Sequence, residues 1–136
     1  MRISRHVKNH GMNWIRKEKR LAIYLRDGLA CCYCGMGIED EVTLTLDHLK
    51  CYTHGGSNNP DNLVTACLRC NSARGSRSWK RFAGHVARYV NHGVTSARII
   101  RHIQRQARKG VDVKAAIRLI AKRGGFVAAM NRKGNR

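Results

Sequence analysis

Two C-x-x-C pairs, Cys31/Cys34 and Cys67/Cys70, stand thirty-two residues apart, and Asp47-His48 lies between them. Four cysteines in two such knuckles are the ligand set of a tetrahedral structural Zn²⁺ site. A zinc saturated by thiolates has no open position, so it would staple the chain rather than act on a substrate. The enclosed dyad suits different work. An imidazole titrates near neutral pH and can take a proton from an attacking water, which assigns that task to His48. Asp47 and Asn71 offer oxygens to a hard divalent cation, Mg²⁺ or Mn²⁺, which uses few protein ligands and keeps several waters. Phosphodiester hydrolysis needs these parts: an activated water, charge stabilisation on the phosphoryl group, and stabilisation of the departing oxygen.

The elements that must position these groups are legible in outline. Residues 13–25 read as a helix with Trp14, Ile15, Leu21, Ala22 and Leu25 near one face, ended by Asp27-Gly28. Residues 42–47, VTLTLD, alternate as a half-buried strand that delivers Asp47-His48 at its end. Successive strand residues point to opposite faces, so the dyad can serve one phosphate only if the strand ends or twists there. Residues 54–62, HGGSNNPDN, form a dense turn signal. Residues 63–66 read as a second short strand running into the Cys67 knuckle, followed by a helix from about Cys70 that carries Asn71.

Charge divides the chain into three. Residues 1–26 hold eight Lys/Arg against Glu18, residues 27–71 hold two bases against six acids, and residues 72–136 hold seventeen bases against Asp112 alone. The formal charge of +19 on 136 residues points to a polyanionic partner, nucleic acid before membrane. The N-terminus MRISRHVKNH has no apolar h-region and no apolar run approaches about eighteen residues. The expectation is therefore an intracellular, cytoplasmic protein with no membrane association, whose six cysteines are metal ligands and free thiols rather than disulfides.

Several short motifs fall in register: Arg26-Asp27-Gly28 before Cys31-x-x-Cys34-Gly35, then Leu46-Asp47-His48, Gly55-Gly56-Ser57-Asn58, Asn62-Leu63-Val64, and Cys67-x-x-Cys70-Asn71-x-x-Arg74-Gly75. On these, residues 24–75 resemble the HNH endonuclease family with the ββα-metal fold and a four-cysteine zinc site. The resemblance implies catalytic positions at His48, Asn62 and Asn71, the last where the family has His or Asn. Asn62 is expected to tie its loop down by hydrogen bonds that fix His48. The pattern departs in two ways: a loop proline is replaced by Tyr52-Thr53-His54, and Cys32 and Cys51 are extra thiols. Either could be a spectator or replace a knuckle ligand, and His54 could be a phosphate or metal contact or a solvated loop residue. The compact module also resembles small nucleases of phages and mobile elements, including those that assist DNA packaging, which leaves room for a protein partner.

The implied architecture is α+β, in three parts: a basic segment with a helix at 1–26, a zinc-stapled core at 27–77, and a basic helical DNA-binding extension at 78–136. In the extension, a helix over 78–91 places Trp79, Phe82, Val86 and Tyr89 on an apolar stripe. Further helices over 95–107 and 112–122 turn Ile99, Ile100 and Ile103, then Val113, Ile117 and Ile120, inward, with Asp112 as a natural N-cap. Residues 131–136 read as a tail. Arg74, at i+3 from Asn71, with Arg77, Arg81 and Arg88, are the expected DNA contacts. His6, His10, His85, His92 and His102 show no metal spacing. A single ββα site would nick one strand. The alternative is a zinc-stapled nucleic-acid-binding protein or partner subunit without catalysis, and the spacing is silent on oligomeric state.

Overall fold

A computed structural model describes residues 13–90 and 93–131 of the chain. His6, His10 and His92, the rest of residues 1–12, and the tail from 132 lie outside the described residues.

Helix α1, Lys17–Arg26, buries Leu21, Ala22, Ile23 and Tyr24, and the chain leaves it through Asp27 and a left-handed Gly28. It begins four residues later than the periodicity suggests. Arg16 is extended, and the preceding residues turn back so that Trp14 meets His48 instead of continuing the apolar stripe. A tertiary contact has overridden a local pattern.

Strands β1, Leu44–His48, and β2, Leu63–Cys67, form an antiparallel pair with Leu44 opposite Cys67 and His48 opposite Leu63. The first strand starts two residues later than expected and runs through His48. Its alternation sorts the side chains. Leu44 and Leu46 pack with Ile23, Tyr24 and Leu63, whereas Thr45 and Asp47 turn toward helix α2, Leu68–Arg74. That helix starts at Leu68, where the Cys67 sulfur accepts from the Cys70 N–H, so a zinc-ligand candidate doubles as N-cap. The loop between the strands contains two 3-10 turns, Tyr52–His54 and Pro60–Asn62.

Helices α3, Trp79–Val90, and α4, Ser96–Arg108, cover the zinc end of the sheet. Phe82, Ala83, Val86, Ile99, Ile103 and Ala107 share one core with Cys31, Cys67, Val64 and Ala66, so the first half of the extension is built into the core. Helix α5, Val113–Arg123, capped by Asp112, and a short α6, Phe126–Met130, pack against α1. Two inward assignments are corrected. Tyr89 is 79% exposed and Ile117 49% exposed, because α3 and α5 bury narrower faces centred on Phe82 and Ala116. No helix among the described residues is long and apolar enough to cross a membrane.

A buried polar node ties the layers together. Asp27 accepts from Arg26 Nε at 2.8 Å, from the Thr65 N–H at 2.9 Å and from Gln106 Nε2 of α4 at 3.1 Å. Arg26 also donates to the carbonyls of Pro60 and Leu63, which fixes the end of the long loop to the end of α1.

Candidate active site

The four knuckle sulfurs of Cys31, Cys34, Cys67 and Cys70 all lie within 4.8 Å of one another. Cys34 and Cys67 are 3.8 Å apart. A tetrahedron with Zn–S bonds of about 2.3 Å has edges of about 3.8 Å, so the cluster is compatible with structural zinc. The electrostatics agree. Hydrogen bonds from neighbouring thiols, Cys31 foremost, pull Cys34 below the ordinary thiol range and Cys67 down to about 6, while Cys31 and Cys70 are pushed up. Four crowded thiols cannot all ionise without a cation among them. Cys32 and Cys51 stand outside the cluster.

At the opposite end of the hairpin, His48 is half-buried. Its ring lies 4.8 Å from that of Trp14 and 6.3 Å from that of Tyr52, and its Nε2 is 2.8 Å from Asn58 Oδ1. An amide oxygen only accepts, so this contact selects the Nε2–H tautomer and leaves the lone pair on Nδ1.

Asn62 is half-buried, and its side chain bonds backbone rather than His48. Its Oδ1 accepts the Lys50 N–H at 2.8 Å, and its Nδ2 donates to the carbonyls of Lys50 and Ser57 at 3.0 and 2.8 Å. The Leu49 N–H donates to the Asn62 carbonyl as well. One side chain thus clamps both ends of the segment that carries Asn58. The glycine pair explains how that segment closes. Gly55 has φ +85°, and a Cβ on Gly56 would sit 1.8 Å from the Lys50 carbonyl oxygen.

Asp47 and His48 face opposite ways, as a continuous strand requires. Asp47 is buried; Arg74 Nη1 lies 2.8 Å from both of its oxygens, and the Tyr33 hydroxyl donates to Oδ2 at 2.6 Å. Burial pushes the Asp47 carboxyl up from its ordinary value, while Arg74 and the Tyr33 hydroxyl pull it back. On the same side of β1, Asn71 Nδ2 donates to Thr45 Oγ1 at 2.9 Å and to the Leu46 carbonyl at 3.1 Å. Its Oδ1 accepts no hydrogen bond among the described residues. A carboxylate and an amide oxygen are donor types that a hard cation takes. These residues fit such a cation in kind, with Arg74 competing for the carboxylate.

The arginines require a correction. Arg74 is not presented to a phosphate: it is 4% exposed, and beyond Asp47 it donates to the carbonyls of His48, Leu49 and Arg77. Its side chain satisfies backbone at the end of β1, which outweighs the helix-face argument that placed it outside. Arg77 donates to the carbonyls of Ala73 and Arg74 and lies over the Phe82 ring, closing the end of α2. Arg81 and Arg88 are exposed, as is His54. Asn58, Trp14 and Tyr33 were missed. Asn58 lay in plain view within the Gly-Gly-Ser-Asn motif, and its amide was the available signal.

Residues 31–77 match the family model for HNH endonuclease. No curated protein and no solved structure matches the chain. The two antiparallel strands, the following helix and the four-cysteine cluster are consistent with the ββα-metal core of that family. Such a domain suggests a nuclease or nucleic-acid-binding role.

Proposed function

We propose that the chain is a metal-dependent endonuclease that hydrolyses DNA phosphodiester bonds, cutting one strand per active site. The observation that carries this reading is the His48–Asn58 contact, which leaves Nδ1 as the basic atom of a ring held between Trp14 and Tyr52. In the proposed reaction Nδ1 takes the proton of the attacking water. Asn58 Oδ1 then stabilises the imidazolium by accepting from Nε2–H. Asn62 is a positioning residue that holds the loop. Asp47 and Asn71 offer oxygens that Mg²⁺ or Mn²⁺ would take, and the ion when bound would supply charge stabilisation at the phosphoryl and departing oxygens. Asp47 faces away from His48 along β1, so the two serve one phosphate only if the end of that strand twists on substrate binding.

One observation favours a second reading, a zinc-stapled nucleic-acid-binding protein or partner subunit without catalysis. Both Asp47 oxygens are already engaged by Arg74, and Tyr33 takes one of them as well.

Conversion of supercoiled plasmid to nicked and linear forms separates the two. The nuclease reading expects nicking that requires Mg²⁺ or Mn²⁺ and disappears in His48→Ala, with DNA affinity and zinc content retained. Tight DNA binding with no cleavage by the wild type overturns it in favour of the second reading.

A further inference from the structure

The outer face of α4 carries Arg98, Arg101, Arg105 and Arg108, all exposed, and none makes an ion pair or side-chain hydrogen bond among the described residues. Helix stability does not account for them. Their spacings of three and four residues make each a like-charged neighbour of the next, which is repulsive on a helix surface. Arg98 also sits in the first turn behind the Thr95 cap, next to the positive end of the helix dipole, and that turn holds no acid.

The arginines line recesses rather than a flat surface. Arg98, Arg101 and Arg105 form one wall of a cavity of about 360 Å³ whose other wall is the zinc knuckle at Cys34 and Gly35. Arg101, Arg105 and Arg108 line a second of about 500 Å³ further along the helix. His102, between them, is half-buried, and the acid that acts on it, Asp27, is already held by Arg26 and Gln106. From Arg98 to Arg108 the helix rises about 15 Å. That is roughly four base-pair steps of rise along the axis of a duplex.

The inner face of the same helix is fixed. Ile99, Ile103 and Ala107 belong to the core that contains Cys31 and Cys67, and Gln106 bonds the node at Asp27. The charged row is therefore held rigidly relative to the zinc knuckle and to β2.

We infer that the groove between the first zinc knuckle and α4, lined by Arg98, Arg101 and Arg105 and continued by the recess beside Arg108, is a track for the phosphodiester backbone of duplex DNA. This assigns the grip to α4 in place of Arg74 and Arg77, whose guanidinium groups serve the protein's own backbone. The inference deepens the nucleic-acid part of the proposed function and does not depend on catalysis. Contacts of this kind set register and affinity and carry no base readout.

The test is equilibrium binding of a 20-base-pair duplex to the zinc-loaded chain without Mg²⁺ or Mn²⁺, titrated over a range of salt concentrations. Arg101→Ala/Arg105→Ala should bind at least about tenfold more weakly at low salt and lower the slope of log K against log salt by about 1.8. Arg101→Lys/Arg105→Lys should keep most of the slope. Lys114→Ala/Arg118→Ala, which removes the same charge from α5, should change it by less than half as much. Melting temperature and zinc content should not change in any of the three. An unchanged slope in the α4 double variant, or a loss matched by the α5 control, overturns the assignment. Because no cleavage is read, such a failure is distinct from a failure of the nicking assay with His48→Ala.

Discussion

Asn58 Oδ1 approaches His48 Nε2 to 2.8 Å across a loop that Asn62 closes with three hydrogen bonds to backbone. The proposed base is thus oriented by a side chain ten residues away, and its neutral tautomer is chosen for it. Replacing Asn58 with Ala removes that choice. The expected result is a fall in nicking rate of roughly tenfold with little change in DNA affinity, the worth of one orienting hydrogen bond. Asn58→Asp places a carboxylate against the ring and favours the imidazolium, so the acid limb of the pH–rate profile should move to higher pH. Profiles that superimpose for wild type and Asn58→Asp would remove Asn58 from the mechanism.

Gly56 is buried, and its missing side chain makes room for the carbonyls of Lys50 and Cys51. Backbone atoms cannot swing aside as a flexible side chain can. Gly56→Ala should therefore cost at least about 3 kcal/mol or displace the Asn58 loop. Urea denaturation reads the first outcome and loss of nicking the second. A variant with wild-type stability and activity would show that the loop closes differently.

Arg74 and Asp47 form a buried pair with side chains 4% and 5% exposed. Removing the cation leaves an uncompensated charge, so Arg74→Ala should lose about 3–5 kcal/mol of stability. The milder Arg74→Lys should keep the charge and lose the bonds to the Leu49 and Arg77 carbonyls. In Arg74→Gln/Asp47→Asn, which removes both charges of the buried pair together, the salt dependence of DNA binding should match the wild type, since the guanidinium is buried in the native chain. A reduced slope there would return Arg74 to the DNA interface.

Zinc occupancy is expected to be a condition of folding. Cys67→Ser removes one zinc ligand while its hydroxyl can still accept the Cys70 N–H at the start of α2, so the variant should lose bound zinc and, for that reason, melt well below the wild type. Plasma emission spectrometry and calorimetry on the same preparation check this. Retained stoichiometric zinc with an unchanged melting curve would refute the four-thiolate cluster.

The parts of this molecule written in local spacing were legible beforehand. Two cysteine pairs, an alternating strand and a glycine-rich loop specify a staple, a hairpin and a turn with little reference to the rest of the chain, and the ββα core follows. Parts that depend on which distant surface a side chain meets were not. Trp14 looked helical because its apolar spacing matched α1, yet contact with His48 pulls it out of the helix. Arg74 looked solvent-bound because three residues separate it from Asn71. Its burial follows from the length of its side chain, which reaches past the helix to unsatisfied carbonyls at the end of β1. Tyr89 and Ile117 were assigned inward because periodicity gives the direction of a face and not its width.

The shared core has a consequence for the order in which the protein comes into being. Ile99, Ile103 and Ala107 complete the hydrophobic cluster around the knuckles, and Gln106 completes the bonds at Asp27. A nascent chain that has left the ribosome only as far as residue 77 holds both cysteine pairs and His48 but lacks that wall. Such a fragment should bind zinc and unfold without a cooperative transition, whereas the chain through residue 131 should melt in one step. Synthesis would then deliver the arginine-bearing helix in the same folding event that makes the hairpin rigid, so no interval exists in which an ordered His48 is present without it.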